Sequence, residues 1–243
     1  MNLILLHEND FIGQERVKLL GRRREHILSI QRAAVGDTLR VGKLDGLIGT
    51  GKIVSLDDQE LEMEVQLEQQ PPGPLPLTLL LALPRPKMLK RILQSVSSLG
   101  VKQIYLINSY RVDKSFWGSP LLQPEKLNEQ LFLGLEQARD TVLPHIHLRP
   151  RFKPFIEDEL PEIAKDTVAY VAHPGAETAC PQGISQAVTL AIGPEGGFIP
   201  YEVEKLKSCD FIPISLGERI LRVETVVPVL LSRLTPLTEK STE

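Results

Sequence analysis

The residues best suited to chemistry lie in two glycine-bearing segments of the C-terminal third: Ala191-Ile192-Gly193-Pro194-Glu195-Gly196-Gly197, and Ser215-Leu216-Gly217-Glu218-Arg219-Ile220-Leu221-Arg222-Val223-Glu224-Thr225. Glycine lets a backbone approach a ligand closely and turn where other residues cannot. The first segment lacks the G-x-G-x-x-G dinucleotide fingerprint, and no Gly-Lys-Ser/Thr follows to make a P-loop. The second sets two arginines and two glutamates around an apolar pair. Ile220 and Leu221 suit a flat apolar slot, Arg222 an anion or the edge of a base, and Glu224-Thr225 the start of a helix. Taken singly, the first segment also reads as a tight strand–helix turn and the second as a surface ion-pair network. In tandem they describe a pocket.

Elsewhere the chemistry is thinner. His145 and His147 share one side of a strand, but no third ligand accompanies them, so no metal is expected. Cys180 and Cys209 have neither ligand spacing nor a disulfide framework and are read as free thiols of a reducing compartment. His26 lies beside an arginine cluster, in a setting for touching phosphate rather than for catalysis. Trp117, with Phe116 and Tyr110, offers a base-stacking surface or simply packing.

Both glycine segments need strands to position them. Ala187 to Ile192 and Phe211 to Ser215 are short apolar runs of the kind that form buried strands, and helix-like sequence follows each. The loops therefore open at the carboxyl ends of neighbouring strands, where open α/β sheets place their ligands. The rest of this half alternates in the same way. Leu77 to Leu83, Val101 to Ile107 and Thr167 to Ala172 read as strands. Lys87 to Leu99, with Leu89, Ile92, Leu93, Val96 and Leu99 on one face, reads as a helix stopped by Gly100. Glu125 to Ala138, Tyr201 to Ser208 and Val226 to Leu234 read as further helices. Such alternation predicts an α/β fold with a parallel sheet covered by helices.

The first 70 residues follow another pattern. Thr38 to Val41, Leu47 to Val54 and Leu61 to Leu67 alternate with period two, separated by turns at Asp45-Gly46 and Asp57-Asp58, and Glu25 to Ala34 reads as one short helix. This predicts a small β-barrel over residues 1–70. A proline-rich linker (71–76), a domain over 77–235 and a flexible tail (236–243) complete the organisation. The net charge of −3 and the pI near 6.0 do not mark a nucleic-acid binder, but charge is segregated along the chain. Arg16, Arg22, Arg23, Arg24 and Arg32 cluster early, before an acidic stretch from Asp57 to Glu68, so one face can still be cationic. The longest apolar stretches are short and broken by proline, and no secretory leader opens the chain, so a cytoplasmic protein is expected.

At the level of motifs, Ile192-Gly193-Pro194-Glu195-Gly196-Gly197 followed by Leu216-Gly217-Glu218-Arg219-Ile220-Leu221-Arg222-Val223-Glu224-Thr225 resembles the RsmE family of SPOUT-class methyltransferases. The resemblance extends over nearly the whole chain, including Leu99-Gly100-Val101, Ala172-His173-Pro174 and an N-terminal barrel similar to PUA domains. Members of that family methylate N3 of a uridine in small-subunit ribosomal RNA with S-adenosylmethionine. The resemblance implies a C-terminal trefoil knot, an exception to the rule that chains avoid threading, and a homodimer. It implies a cofactor site walled by His173, Pro174, Gly193, Glu195, Gly196, Gly197, Leu216, Gly217, Ile220 and Leu221, with no metal. Arg222 would stabilise the anion developing on a uracil oxygen and Glu224 would orient it. The early arginines would grip the phosphates of small-subunit rRNA or of the 30S particle. A paralogue acting on another RNA site, an RNA-binding module with decayed catalysis, and an α/β enzyme using a different nucleotide are the alternatives. The chain departs from the family pattern at several points: Ser95 and Ser98 stand where relatives usually have Lys and Glu, Val223 stands for a threonine, and Glu136-Gln137-Ala138-Arg139-Asp140 only partly matches the usual Glu-Gln-x-x-Arg. Pro228 interrupts a helix that is usually alanine-rich, in what should be its first turn.

Overall fold

The computed structural model describes residues 2–235, so the expected tail (236–243) lies outside the described residues. The chain divides into two compact units, Met1–Gly73 together with Leu131–Leu143, and Pro74–Gln130 together with the chain from Pro144 onward.

The first unit is a five-stranded sheet of β1 (Ile4–Leu6), β2 (Arg16–Leu19), β3 (Thr38–Lys43), β4 (Ile48–Leu56) and β5 (Leu61–Gln69) in the order β1-β3-β4-β5-β2. Only β1 and β3 pair in parallel. Register shifts on the β4–β5 pair, next to Ile48 and Ile53, bend these long strands and curl the sheet around its core. The alternation read from the sequence places Val41, Ile53, Met63 and Val65 on the concave side, where Ile4, Leu6, Val17, Leu19 and Ile27 join them.

The short helix is displaced from its expected position. Instead of Glu25 to Ala34, α1 spans Gly21–His26, widens into a π-type turn over Ile27–Gln31 and ends at Arg32, whose φ of 52° is left-handed. Ion pairs within the unit explain the early start. Arg22 reaches buried Glu136 at 3.2 Å, and Arg23 forks onto Asp10 and the Leu5 carbonyl, so the first turn is held by partners invisible to helical periodicity. Burial raises the Glu136 carboxyl above the usual range, opposed by Arg22.

The second unit is an all-parallel six-stranded sheet: β6 (Leu77–Ala82), β7 (Gln103–Ile107), β8 (His145–Arg149), β9 (Val168–Ala172), β10 (Val188–Ile192) and β11 (Ile212–Ile214), in the order β11-β9-β10-β6-β7-β8. Central β6 and β10 are almost wholly buried, as their largely apolar runs require in a sheet covered on both faces; buried Thr189 on β10 is satisfied by the Thr167 hydroxyl at 2.8 Å. Helix α2 (Pro86–Ser98) buries Leu89, Ile92, Leu93 and Val96 and is closed by Gly100, whose φ is 85°. Helix α3 (Pro124–Ala138) begins in this unit, and its residues from Leu131 on belong to the first. Short helices α4 (Phe152–Pro154) and α5 (Leu160–Ala164) follow β8, α6 (Pro200–Lys207) follows β10, and α7 (Val223–Leu234) follows β11. Among the described residues no helix is long and apolar enough to cross a membrane.

Pro228 falls at the sixth helical position of α7, one turn deeper than expected, because the helix already begins at Val223. There the ring removes the bond that would close onto the Glu224 carbonyl.

The connection from β9 to β10 is irregular yet firmly held. Ser215 donates its N–H to the Thr178 carbonyl, Cys180 donates to Ser215, and Gly183 and Ile184 donate to Arg233 and Leu234 at the end of α7. Arg233 returns Nε to the Cys180 carbonyl at 3.0 Å, and the Gln182 amide oxygen, turned toward it, accepts from both terminal nitrogens. Replacing Arg233 with alanine should lower stability by about 1 kcal/mol in urea titration, the worth of a typical net hydrogen bond at a part-exposed site. A midpoint equal to wild type would show that the backbone bonds alone hold the connection.

Candidate active site

Three neighbouring strands and two helices converge on one cavity of about 620 Å³. Strand β9 delivers His173 and Pro174, β10 the first glycine loop, and β11 the second, all at their carboxyl ends. The start of α7 adds Val223 and Glu224, and the turn from β6 into α2 adds Arg85, Lys87 and Met88.

The first loop is tightly built. Gly193 is buried, and a Cβ on it would meet the Phe198 nitrogen at 2.9 Å, so only glycine fits without moving the chain. Gly197 donates to the Pro194 carbonyl at 2.7 Å and closes the turn, while the Arg111 guanidinium holds the Gly196 carbonyl. Glu195 accepts the Arg85 N–H at 3.2 Å, tying the loop to the entrance of α2. Behind it, Glu202 is 2% exposed and accepts two backbone N–H groups, Ile199 at 3.0 Å and Tyr110 at 2.7 Å. One carboxylate thus caps α6 and anchors the chain following β7.

The second loop is more open. Its glycine, Gly217, has φ 105°, outside the range of L-residues, and its N–H is received by the Ser215 hydroxyl at 3.1 Å. Residues 216–222 form no helix or strand, and Ile220 stands 81% exposed at the rim. Arg222 sits at the N-cap position of α7 with its side chain 86% exposed, 4.0 Å from Oε1 of Glu224. An arginine on so loose a tether is free to meet an incoming group.

Of the residues singled out from sequence, His173, Pro174, Gly193, Glu195, Gly197, Leu216, Gly217, Ile220, Leu221, Arg222 and Glu224 all line this cavity. Gly196 does not line it: its carbonyl faces Arg111. Sequence reasoning missed Arg85, Lys87 and Met88. The available signal was a basic residue on each side of Pro86 directly after a buried strand, read only as a helix start.

The early arginines lie in the first unit and are mostly engaged. Arg16 pairs with Glu62 at 2.7 Å, Arg22 with Glu136, Arg23 with Asp10, and Arg24 with the Asp57 carbonyl, while Arg32 is exposed. Arg23 is the most committed, two-pronged on a buried partner, and its release would strand a buried carboxylate. Burial lowers the His26 imidazole below its ordinary pKa, and its Nε2 is buried without a hydrogen-bond partner among the described residues. His147 stacks on Tyr105 and meets Gln103 at 3.1 Å; no group of three potential metal ligands occurs among the described residues. Trp117 gives its indole N–H to Asn108 at 2.9 Å. Ser95 and Ser98 turn their hydroxyls onto the Arg91 and Gln94 carbonyls of their own helix.

Comparison with known proteins agrees with this geometry. A family model described as an RNA methyltransferase domain matches residues 71–235. A Treponema pallidum (strain Nichols) protein named ribosomal RNA small subunit methyltransferase E is 28% identical over 231 residues, 93% of this chain and 87% of that one. A Buchnera aphidicola protein of the same name reaches 60% identity over 40 residues, 16% of each chain. Among solved structures, ribosomal RNA small subunit methyltransferase E of Neisseria gonorrhoeae, bound to S-adenosyl methionine, has a TM-score of 0.72 at 21% identity, covering 96% of this chain and 95% of that one. A Legionella pneumophila methyltransferase in complex with the same cofactor has a TM-score of 0.74 at 22% identity, covering 95% of each chain. At these identities the structural likeness speaks for the fold, while the family model, spanning more than half of the sequence, assigns membership. The chain belongs to the RNA methyltransferase domain family, as a member of its RsmE group.

Proposed function

We propose that this cavity binds S-adenosylmethionine and that the protein transfers its methyl group to N3 of a uridine in small-subunit ribosomal RNA. The observation that carries the proposal is the convergence on one cavity of both glycine loops, His173-Pro174 and the exposed Arg222, in a chain of this family. The donor set fits the cofactor: Leu216, Ile220, Leu221 and Met88 offer apolar contact for an adenine ring, and the loops bring backbone polar groups to its edge and ribose. Bound there, S-adenosylmethionine supplies an electrophilic methyl on its sulfonium.

The protein's own task is the base. N3 of uracil is a protonated imide and becomes a competent nucleophile only on losing its proton, which passes to solvent. The resulting charge spreads onto the flanking carbonyl oxygens, and Arg222 would donate to one of them. Glu224, 4.0 Å away at the first turn of α7, biases the guanidinium toward the cavity. A base paired in a helix cannot enter, so the target uridine must be unpaired or flipped.

The finer architecture belongs to the same proposal. We read residues 1–70 as a PUA-like barrel contributing phosphate grip through Arg16, Arg22, Arg24 and Arg32, with Arg23 held for structure, and residues 77–235 as the methyltransferase domain after a linker (71–76). A C-terminal trefoil knot is supported by the outer position of β11 and by the segment 178–184 laid along β11 and the end of α7. A cytoplasmic homodimer acting on rRNA or on the 30S particle completes the reading. Incubating small ribosomal subunits from a strain lacking the enzyme with the protein and S-adenosylmethionine should yield 3-methyluridine by mass spectrometry of the nucleosides. A different methylated nucleoside, or none, would overturn the assignment.

A further inference from the structure

The cavity wall carries more positive charge than its cofactor can use. Arg85, Lys87, Arg219 and Arg222 face it, against the carboxylates of Glu195 and Glu224 alone. S-adenosylmethionine is itself a net cation, and its single carboxylate cannot neutralise all four of these groups. The excess positive charge suits a second, anionic occupant.

Two of the four cations stand where folding alone disfavours them. Arg85 is the N-cap residue of α2 and Lys87 lies in its first turn, at the positive end of a 13-residue helix. That turn contains no acidic residue, whereas α3, α6 and α7 carry Glu125, Glu202 and Glu224 in theirs. Cations at a helix N-terminus cost stability rather than adding it. Neither side chain is offset by a neighbour: among the described residues, Arg85 and Lys87 make no side-chain hydrogen bond or ion pair, and both are exposed. Elsewhere in this unit Lys126, Arg149, Lys165, Lys205 and Lys207 are each paired with a glutamate. The one tie that Arg85 makes is through its backbone N–H to Glu195, which fixes its position and leaves the guanidinium unengaged.

We propose that Arg85 and Lys87 are specificity-determining residues that seat a phosphodiester of the RNA beside the target uridine; this rests on the RNA-methyltransferase reading above. The arginine fork suits two phosphate oxygens at once, and the lysine adds a compact charge from the next turn position. Held by its phosphate at the α2 entrance, a nucleotide can turn its base toward Arg222, which lines the same cavity. The pair thereby selects a nucleotide embedded in a strand over a free nucleoside.

The test compares wild type with R85Q, K87Q and the double variant R85Q/K87Q, using K126Q/K165Q as a control of equal charge change on exposed helix pairs. Binding of a labelled twelve-residue oligouridylate is followed by fluorescence anisotropy across a salt series, in the presence of S-adenosylhomocysteine. Affinity for S-adenosylhomocysteine is measured separately by calorimetry. In the double variant the slope of log affinity against log salt should flatten by about 0.7 for each phosphate no longer neutralised, the single-strand value. Cofactor affinity should be unchanged, and the control should keep the wild-type slope. A slope equal to the control, or a parallel loss of S-adenosylhomocysteine binding, overturns the inference. If the slope flattens in the double variant but wild type never methylates ribosomal RNA, the anion seat stands and the functional reading falls. If wild type methylates and the slope does not move, the seat alone falls.

Discussion

Replacing Arg222 with alanine should lower the turnover of methyl transfer by about 100- to 1000-fold, the loss typical of deleting one donor aimed at a developing anion. S-adenosylhomocysteine affinity should stay close to wild type. The asymmetry follows from where the residue stands. Its backbone carbonyl accepts from Thr225 and Val226 and so opens α7, a role any residue can fill. Its side chain is exposed and, among the described residues, makes only a long contact to Glu224. Under the proposed function, what alanine removes is charge at the moment the uracil imide loses its proton, not shape for the adenine. Lysine at this position keeps the charge but not the fork and should fall between the two. Single-turnover methylation of small subunits, with calorimetry in parallel, measures both quantities. Turnover equal to wild type would remove Arg222 from the chemistry, and a matched loss of cofactor affinity would make it a binding residue.

The second large effect is expected at a residue that never touches the cavity. Glu202→Ala should destabilise the protein by about 3 kcal/mol, since the bonds it removes are to a charged acceptor and both donors are left without it in a buried site. The carboxylate is 2% exposed and joins the N–H of Ile199, at the entrance of α6, to that of Tyr110 in the chain after β7. Arg111, the next residue, holds the Gly196 carbonyl, so loosening Tyr110 also loosens the first glycine loop. Chemical denaturation should show the lower midpoint, and S-adenosylhomocysteine affinity should fall with it. Glu202→Gln keeps one acceptor and should recover part of both. Stability within about 0.5 kcal/mol of wild type, the range of an ordinary surface change, would mean that water replaces the carboxylate.

The strands of the second unit were legible because a strand buried in a parallel sheet is apolar along nearly its whole length, as β6, β9 and β10 are apart from Thr78 and Thr189. The cavity's glycine loops were legible for a related reason: strand-ending glycines at the carboxyl edge of such a sheet have few other uses. Helix α1 was not. Its start depends on Asp10 and Glu136, the latter more than a hundred positions away in sequence, and periodicity carries no record of such partners. The same blindness applied to the arginine cluster. Counting charges finds Arg16, Arg22, Arg23 and Arg24 alike, but tertiary pairing separates a guanidinium buried on Asp10 from ones left near solvent.

By itself, then, the sequence determined the α/β class, the parallel sheet, the two loops and the family that bears them, since each is written in local residue types and short spacings. Tertiary structure alone decided which cations are free. It brought Arg85 and Lys87 from the end of β6 to the same cavity that Arg222 lines, over more than a hundred residues of chain. It also turned Gly196 away from the cavity that Gly193 and Gly197 line. Electrostatic pairing and the direction of a side chain are properties of what folds up against a residue, and no local pattern holds that information.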